Sequence, residues 1–347
     1  MKENKPEKHA GIKGFRGFII LSLITGFILS FLGALSIGPA KIPVTTVFRI
    51  LFHLPGSWSE SYGIILMEVR LPRVILSALV GSGLAVAGCA MQGLFRNPMA
   101  SPYILGISSG SAFGASLAIV LGVGLGTGVF AVPFTAFIFA LLTIFLVYNV
   151  AKIGRRVPME TLLLAGIATG SFFWAQVSLM KYIAGEELRS IVFWLMGGFW
   201  ASSWDKVAIA FPLILLGIVV IMFFSRDLNL MLMGEEHALN LGTDVENVKK
   251  IVLVFASLIT AAAVSVSGII GFVGLIIPHI MRIIVGPDHR VLLPSSCLVG
   301  AIFLMWMDAL ARTAIQPTEL PVGIITASLG APFFLYLLRK RRRITGW

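Results

Sequence analysis

Long stretches without a single charged residue constrain this sequence more than any other feature. Six of them are each about one membrane span long: residues 17–40, 74–95, 161–180, 207–225, 291–307 and 320–338. A helix needs roughly 20 apolar residues to cross a bilayer core about 30 Å thick. Because 57% of the residues are hydrophobic and only 12% are charged, the composition excludes an ordinary soluble enzyme, a disordered chain and a secreted disulfide scaffold.

A further uncharged stretch is long enough for two helices. It covers residues 97–151, and glycine takes alternate positions near its centre, at Gly122, Gly124, Gly126 and Gly128. Glycine tolerates the backbone angles of tight turns, so this spacing predicts two spans joined by a flexible turn.

Residues 251–281 can form either one long helix or two short ones. As a single helix they would extend about 46 Å, well beyond the bilayer core. Cytoplasmic loops carry the excess of Lys and Arg, which discriminates between the alternatives. A break near Gly268 and Gly271 places 19 of the 27 basic residues inside, whereas one long helix divides them 13 to 14. The sequence therefore predicts an all-α, polytopic membrane protein with ten transmembrane helices and both termini in the cytoplasm.

The segments between the spans are short, so residues 1–347 form one transmembrane domain. The charge count places residues 1–17, residues 226–250 and the basic tail 339–347 in the cytoplasm. The first uncharged run is too long for a signal-peptide core, which predicts an uncleaved first helix. Residues 190–204 are too few to span a bilayer and predict a short interfacial or re-entrant helix on the outer side.

The residue pattern offers little support for catalytic or metal chemistry. For His279, helix packing competes with a haem-ligand or proton-relay role, while Asp308 lies one helical turn before Arg312, which predicts a mutual ion pair. Cys89 and Cys297 lack metal-ligand spacing and are interpreted as packing residues. No Walker A pattern occurs, so ATP must be handled by another chain. The net charge of +11 comes from basic residues that flank apolar runs, which indicates topology and not nucleic-acid binding.

Small residues recur at a spacing of four, which brings them onto one face of a helix. Gly106, Gly110 and Gly114 form one such face, and Gly166 and Gly170 form another. Inside lipid, faces of this kind let helix backbones approach closely. They predict either tight packing within one bundle or a mobile helix face.

Two groups of residues outside the spans are candidate contact surfaces. Arg70, Arg73 and Arg312 lie on the outer side, where their side chains either snorkel at the interface or receive carboxylates from a soluble partner. On the inner side, residues 228–250 combine apolar and acidic residues with breaks at Gly234 and Gly242. That pattern fits short amphipathic helices and a surface loop equally well.

Four motifs resemble the FecCD-type permease family, the membrane subunits of ABC importers for iron-siderophores, haem and cobalamin. They are RLPRVILSALVGSGLAVAGCAMQGLFRNPMASPYILGISSGSAFG from Arg70, GIIGFVGLIIPHIMR from Gly268, DHRVLLP from Asp288 and ELPVGIITASLGAPFF from Glu319. The resemblance extends over residues 33–338 and implies the cobalamin-importer permease fold, with ten transmembrane helices.

The resemblance also implies roles that the spacing does not show. Docking of a substrate-binding protein falls to Arg70, Arg73 and Arg312, and the cytoplasmic gate falls to Pro158 and Met159. The coupling helices that fit a cleft on the ATPase are implied around six residues: Met233, Gly234, Glu235, Ala238, Leu241 and Gly242.

By the same resemblance, the chain is expected to move a ferric siderophore, haem or cobalamin across the cytoplasmic (inner) membrane of a prokaryote by alternating access. The expected partners are a second permease subunit in a homodimer, two ATPase subunits that use ATP and Mg, an extracytoplasmic substrate-binding protein and membrane lipid. No catalytic residue, cofactor, metal or nucleic acid is expected on this chain. The rival is an ion-coupled secondary transporter, which needs intramembrane carboxylates, and only Asp308 approaches that requirement.

Overall fold

A computed structural model describes residues 6–56, 58–122, 130–154 and 156–345. Within these ranges the regular structure is helical, apart from one isolated bridge between Ile153 and Arg156. The helices are numbered in chain order: α1 Pro6–Ser36, α2 Val44–Leu51, α3 Glu60–Leu94, α4 Ile107–Val120, α5 Ala131–Ala151, α6 Met159–Ile183, α7 Leu188–Met196, α8 Trp204–Phe223, α9 Ser225–Leu232, α10 Glu235–Asn240, α11 Val245–Ser267, α12 Val273–Val285, α13 His289–Thr313 and α14 Val322–Thr345.

Among the described residues, seven helices are long and apolar enough to cross a membrane. They are α1 over Gly17–Ser36, α3, α5, α6, α8, α11 and α13. Three apolar helices are shorter, namely α4, α12 and the part of α14 from Val322 to Tyr336. The all-α class and the multi-pass architecture expected from the sequence are therefore confirmed.

The predicted break in residues 251–281 is also confirmed. Helix α11 ends at Ser267, and α12 begins only at Val273. Gly268 lies between them with φ 68° and ψ −163°, a backbone conformation open essentially only to glycine. The glycine therefore lets the chain leave the helix direction where a continuous helix would be too long for the bilayer.

Helix α3 begins well before the predicted second span. The uncharged stretch starts at residue 74, whereas the helix starts at Glu60 and includes a π-helical turn at Ile65–Arg70. Arg70 and Arg73 thus lie within the helix instead of ahead of it. Backbone hydrogen bonds continue a helix through charged positions whenever those side chains find partners, so the edge of an apolar run does not mark a helix end.

The stretch 97–151 contains two helices, as predicted, but the first is short. A 3₁₀ turn at Pro102–Leu105 precedes α4, and the second helix is α5. Of the predicted turn glycines, Gly124, Gly126 and Gly128 lie outside the described residues. The region 190–204 likewise contains the short helix α7, which ends where Gly197 adopts φ 66°.

The predicted glycine faces lie against other helices. A Cβ added to Gly114 would lie 2.5 Å from the backbone oxygen of Thr135 on α5, and one added to Gly166 would lie 2.5 Å from that of Ile104. Close packing within one bundle, the first of the two interpretations, accounts for these positions.

Helix α3 forms the centre of the bundle and packs against α13, α11, α12 and α8. Most of its apolar window is buried (83%), in contrast to 22% for α6. Two pairs of glycines bring its backbone against its neighbours, because a Cβ on Gly81 would overlap the carbonyl of Gly300, and one on Gly88 that of Gly274. Helix α3, from Glu60 to Leu94, therefore runs through the centre of the bundle from one end to the other.

Candidate functional site

A buried charge network occupies one end of the bundle. Arg73 on α3 donates from Nε to Asp308 Oδ1 on α13 at 2.9 Å, and its Nη1 lies 2.8 Å from Glu319 Oε2. Arg312 Nε lies 3.1 Å from Asp308 Oδ2, which confirms the predicted pair one helical turn apart. Asp308 is fully buried and shared between two guanidinium groups. An ion-coupled carrier would need this carboxylate free for its coupling ion.

At the same end of the bundle, arginine side chains bind the carbonyl oxygens at the end of α1. Arg70 Nη1 donates to the carbonyl oxygens of Leu35 and Ser36 at 2.8 and 3.0 Å, and Nη2 donates to that of Ala40. Arg312 donates to the carbonyls of Ala34 and Ile37, each at 3.1 Å. The last carbonyls of a helix lack intrahelical partners and carry partial negative charge. Two distant arginines therefore satisfy the end of α1.

The three arginines are buried in the single chain. Their exposed fractions are 3% for Arg70, 6% for Arg73 and 3% for Arg312. The sequence led us to expect these long basic side chains at an outer surface, but they are buried because each has partners far away in the sequence. Their role in docking a partner protein stays a prediction.

At the opposite end, residues 225–242 form two short helices, α9 and α10. Gly234 separates them with φ 116°, and Gly242 follows α10 with φ 83°. Both glycines adopt positive φ, which a residue with a Cβ rarely does. Of the two interpretations of residues 228–250, short helices are the correct one, since α9 and α10 lie there. Residues 225–242 are called the coupling segment, after their predicted role.

The coupling segment presents apolar side chains outward. Met233, Leu239 and Leu241 are exposed, whereas Ala238 is fully buried against the bundle. Glu235 is half-buried at the start of α10. Neighbouring exposed apolar residues mark a surface that contacts either another protein or the membrane.

A buried lysine connects the coupling segment to the loop before α6. Lys249 Nζ on α11 lies 2.7 Å from Glu235 Oε2 and 3.1 Å from Glu246 Oε1. Glu246 Oε2 in turn accepts a hydrogen bond from the backbone N–H of Val157 at 3.3 Å. The chain of contacts thus runs from α10 through Lys249 and Glu246 to the residue next to Pro158.

The predicted gate residues line a cavity of about 730 Å³ beside this connection. Pro158 precedes the first turn of α6, and Met159 begins the helix. The cavity wall includes both of them together with Glu235, Glu246 and Lys249. The fold therefore brings the predicted gate and the coupling segment to one site.

Lys249 and Glu246 were not among the candidates from the sequence. Their i,i+3 spacing indicates only a local pair on a helix surface. The contact of Lys249 with Glu235 spans 14 residues and a change of helix, which no periodicity reveals.

No group of three or more His, Cys, Asp or Glu residues that could hold a metal ion occurs in the part of the chain that the structure describes. His279 lies within α12, directly after Pro278. Cys89 is buried, Cys297 is partly buried, and both are free thiols.

Seven long apolar helices among the described residues, packed around buried ion pairs, define a multi-pass membrane protein. This chain belongs to the FecCD transport family, whose sequence model matches residues 25–340. The family resemblance drawn from the four motifs is thereby confirmed. Membership makes the chain a membrane permease subunit of the ABC importer type and not the ATP-hydrolysing enzyme.

Two relatives illustrate the similarity. The cobalamin import system permease protein BtuC of Halobacterium salinarum is 48% identical over 282 residues, which cover 81% of this chain and 75% of that protein. The hemin transport system permease protein HmuU of Yersinia pestis is 39% identical, with coverage of 92% and 96%.

A solved structure shares the fold. The similar chain comes from a metal-chelate type ABC transporter in an inward-facing conformation, with a TM-score of 0.83 and 35% sequence identity. The match covers 93% of this chain and 99% of the other. The similarity therefore extends over nearly the whole of both chains.

Proposed function

We propose that this chain is the permease subunit of an ABC importer that moves a metal chelate, namely a ferric siderophore, haem or cobalamin, across the cytoplasmic membrane of a prokaryote. Transport proceeds by alternating access. Two ATPase subunits hydrolyse ATP with Mg on the cytoplasmic side, a second copy of the permease completes the path, and a binding protein delivers cargo from outside. The similarity over 93% of the chain to a metal-chelate type ABC transporter carries this proposal.

The cargo class is supported by the relatives. Their names specify cobalamin and hemin, which each hold a metal ion in a large organic macrocycle. Identities of 48% and 39% accompany these two different cargoes. We infer that the permease provides a path for large chelates and that the binding protein provides most of the selectivity.

The ten-span topology, with both termini in the cytoplasm, is part of the proposal. Arg96, Arg156 and Glu235 come from three predicted inner segments and line one cavity at the Leu94 end of α3. Arg73, from a predicted outer segment, lies roughly 30 Å away along the same helix. Ten spans that cross the membrane in alternate directions place all inner segments at one end and all outer segments at the other, which agrees with these positions.

The coupling route follows from the contacts at the inner end. Closure of the ATPase pair displaces the coupling segment, and Lys249 transmits that displacement through Glu246 to Val157. The gate at Pro158 and Met159 then moves with the start of α6. Two packings of the same helices, which differ in their contacts to the ATPase, provide the switch.

Docking of the binding protein is proposed at the end that holds the arginine network. Acidic residues of the binding protein meet Arg70, Arg73 and Arg312. The positive charges of these three arginines outnumber the negative charges of Asp308 and Glu319. Because the guanidinium groups have internal partners, they contribute mainly through their field and the fixed position of the α1 end. Such long-range attraction raises association rates and weakens with salt.

Arg70→Gln is expected to weaken binding-protein association roughly five-fold at low salt, equivalent to about 1 kcal/mol. The salt dependence of association should decrease as well, because one fixed charge is lost. Surface-immobilised permease complex and soluble binding protein at two salt concentrations provide the measurement. Arg290→Gln, an exposed charge at the start of α13 and so at the opposite end of the bundle from Arg312, is the control and should leave association nearly unchanged. Wild-type affinity in Arg70→Gln at both salt concentrations would contradict the docking role.

Reconstitution tests the proposed function as a whole. Proteoliposomes with permease, ATPase and binding protein should accumulate one of labelled haem, ferric siderophore or cobalamin only when ATP is present. The permease without the ATPase should accumulate none of them. Uptake by the permease alone, or uptake driven by an ion gradient without ATP, would overturn the proposal.

A further inference from the structure

Two adjoining cavities meet at Lys206, near the start of α8. The first has a volume of about 500 Å³ and lies between α5, α7, α8 and the end of α11. The second, about 210 Å³, is a groove between α5 and α8. Pro133, Lys206, Ser265 and Val266 belong to the walls of both. A cavity with polar residues in its wall therefore adjoins an apolar groove at these four shared residues.

Lys206 has no acidic partner among the described residues. It is only 8% exposed, and within the described ranges no ion pair or side-chain hydrogen bond reaches its ammonium group. Residues 123–129, which precede α5, contain no acidic residue in their sequence. A buried ammonium without a partner is costly in free energy. Its position therefore indicates an anion that comes from another molecule.

The wall of the larger cavity adds a second cation and an aromatic rim. Arg189 on α7 is exposed, and its guanidinium carbon lies 5.5 Å from the ring centre of Phe193. Trp194 and Trp200 line the same cavity. Tryptophan is enriched where the bilayer meets water, at the level of lipid head groups. The larger cavity thus has the composition of a head-group site.

The groove has the opposite character. Phe130, Phe134, Phe137, Ile209 and Leu213 form most of its apolar wall. Phe134 and Ile209 also belong to outward faces of α5 and α8 that leave large apolar side chains exposed. In a bilayer such faces meet acyl chains, so the groove is open to the hydrocarbon layer.

We propose that this space binds one anionic phospholipid, with its phosphate group at Lys206 and Arg189 and an acyl chain along the groove between α5 and α8. The ligand must carry negative charge, because both cations lack acidic partners among the described residues. It must also be amphipathic, because Lys206 lines both the larger cavity and the adjoining apolar groove. An anionic phospholipid meets both requirements, whereas a free phosphate meets only the first.

Thermal unfolding of the full-length permease in detergent tests this site. Added phosphatidylglycerol should raise the melting temperature in a saturable manner, while phosphatidylcholine and inorganic phosphate should not. Lys206→Met nearly keeps the side-chain volume but removes the charge. The phosphatidylglycerol concentration needed for half of the stabilisation should rise about five-fold, since one basic residue near a membrane surface contributes about 1 kcal/mol. Lys206→Arg should retain the effect.

Lys181→Met is the matched control, since Lys181 lies at the outer end of α6 and lines neither cavity. It should respond to phosphatidylglycerol as the wild type does. Arg189→Gln changes an exposed side chain and tests the site even if Lys206→Met fails to fold. Equal stabilisation by phosphatidylcholine, stabilisation by phosphate alone, or an unchanged phosphatidylglycerol response in Lys206→Met or in Arg189→Gln would each overturn the proposal.

Discussion

Replacing Leu241 with aspartate is expected to reduce uptake by the importer at least about ten-fold while ATP hydrolysis and permease folding persist. Leu241 follows α10 and is 57% exposed, so its side chain contributes little to the permease itself. Burial of a leucine side chain against the ATPase is worth about 1.5–3 kcal/mol. A carboxylate at the same contact loses that gain and also incurs a desolvation cost.

The measurement compares ATP hydrolysis and labelled-cargo uptake in the same proteoliposomes. Ile153→Asp is the matched control, because Ile153 is an exposed aliphatic residue (62%) in another predicted inner loop. It should transport at nearly the wild-type rate. Unchanged uptake in Leu241→Asp would remove the coupling segment from the proposed mechanism.

Gly234→Val probes the same segment through its backbone. A φ of 116° at the break between α9 and α10 would force a β-branched residue into a conformation that costs about 1–3 kcal/mol. The helix α10 would reorient to relieve that strain. Uptake in the same proteoliposome assay should therefore decline, as it does in Leu241→Asp. Reorientation of α10 would also displace Glu235, the partner of Lys249. Gly234→Val therefore tests the ATPase contact and the internal route together, whereas Leu241→Asp tests the contact with the ATPase.

Asp308→Asn is expected to destabilise the permease by about 3–5 kcal/mol, because it leaves two buried guanidinium groups without their shared carboxylate. Membrane-embedded charges find few alternative partners, and water reaches a fully buried position poorly. A loss of this size is a large part of the 5–15 kcal/mol typical of folded proteins. The yield of folded protein should fall accordingly.

Thermal unfolding of the detergent-solubilised permease measures this effect. Asp205→Asn is the control, since Asp205 is an exposed carboxylate in the first turn of α8. Surface substitutions of that kind usually change stability by no more than about 0.5 kcal/mol. A melting temperature equal to the wild-type value in Asp308→Asn would show that the network is not required for stability.

Features set by neighbouring residues were predictable. The break at Gly268 followed from the excess length of residues 251–281, and the pair of Asp308 with Arg312 followed from their spacing. The glycine break at Gly234 was visible in the sequence, but the pattern around it fitted short helices and a surface loop equally well, and the structure decided for helices. The pair of Asp308 with Arg312 needed only the geometry of one helical turn, whereas the break at Gly268 also needed the distribution of Lys and Arg along the whole chain.

Helix limits were less predictable where charged residues lie inside a helix. Helix α3 begins at Glu60, and α13 continues through Asp308 and Arg312 to Thr313. An apolar stretch marks the part of a helix that can contact lipid, whereas the helix itself continues as long as its side chains have partners. Those partners belong to other helices and have no signature in the local pattern.

The sequence by itself determined that this protein lies in a membrane, the order of its apolar helices and its family. These features depend on composition and on the succession of residues along the chain. Only the tertiary structure decided that Arg73 meets Asp308, 235 residues away, and that Lys249 joins the coupling segment to the gate loop. It likewise placed Lys206 between two cavities. Contacts between distant residues arise from how helices pack, and packing depends on the shapes of all faces together.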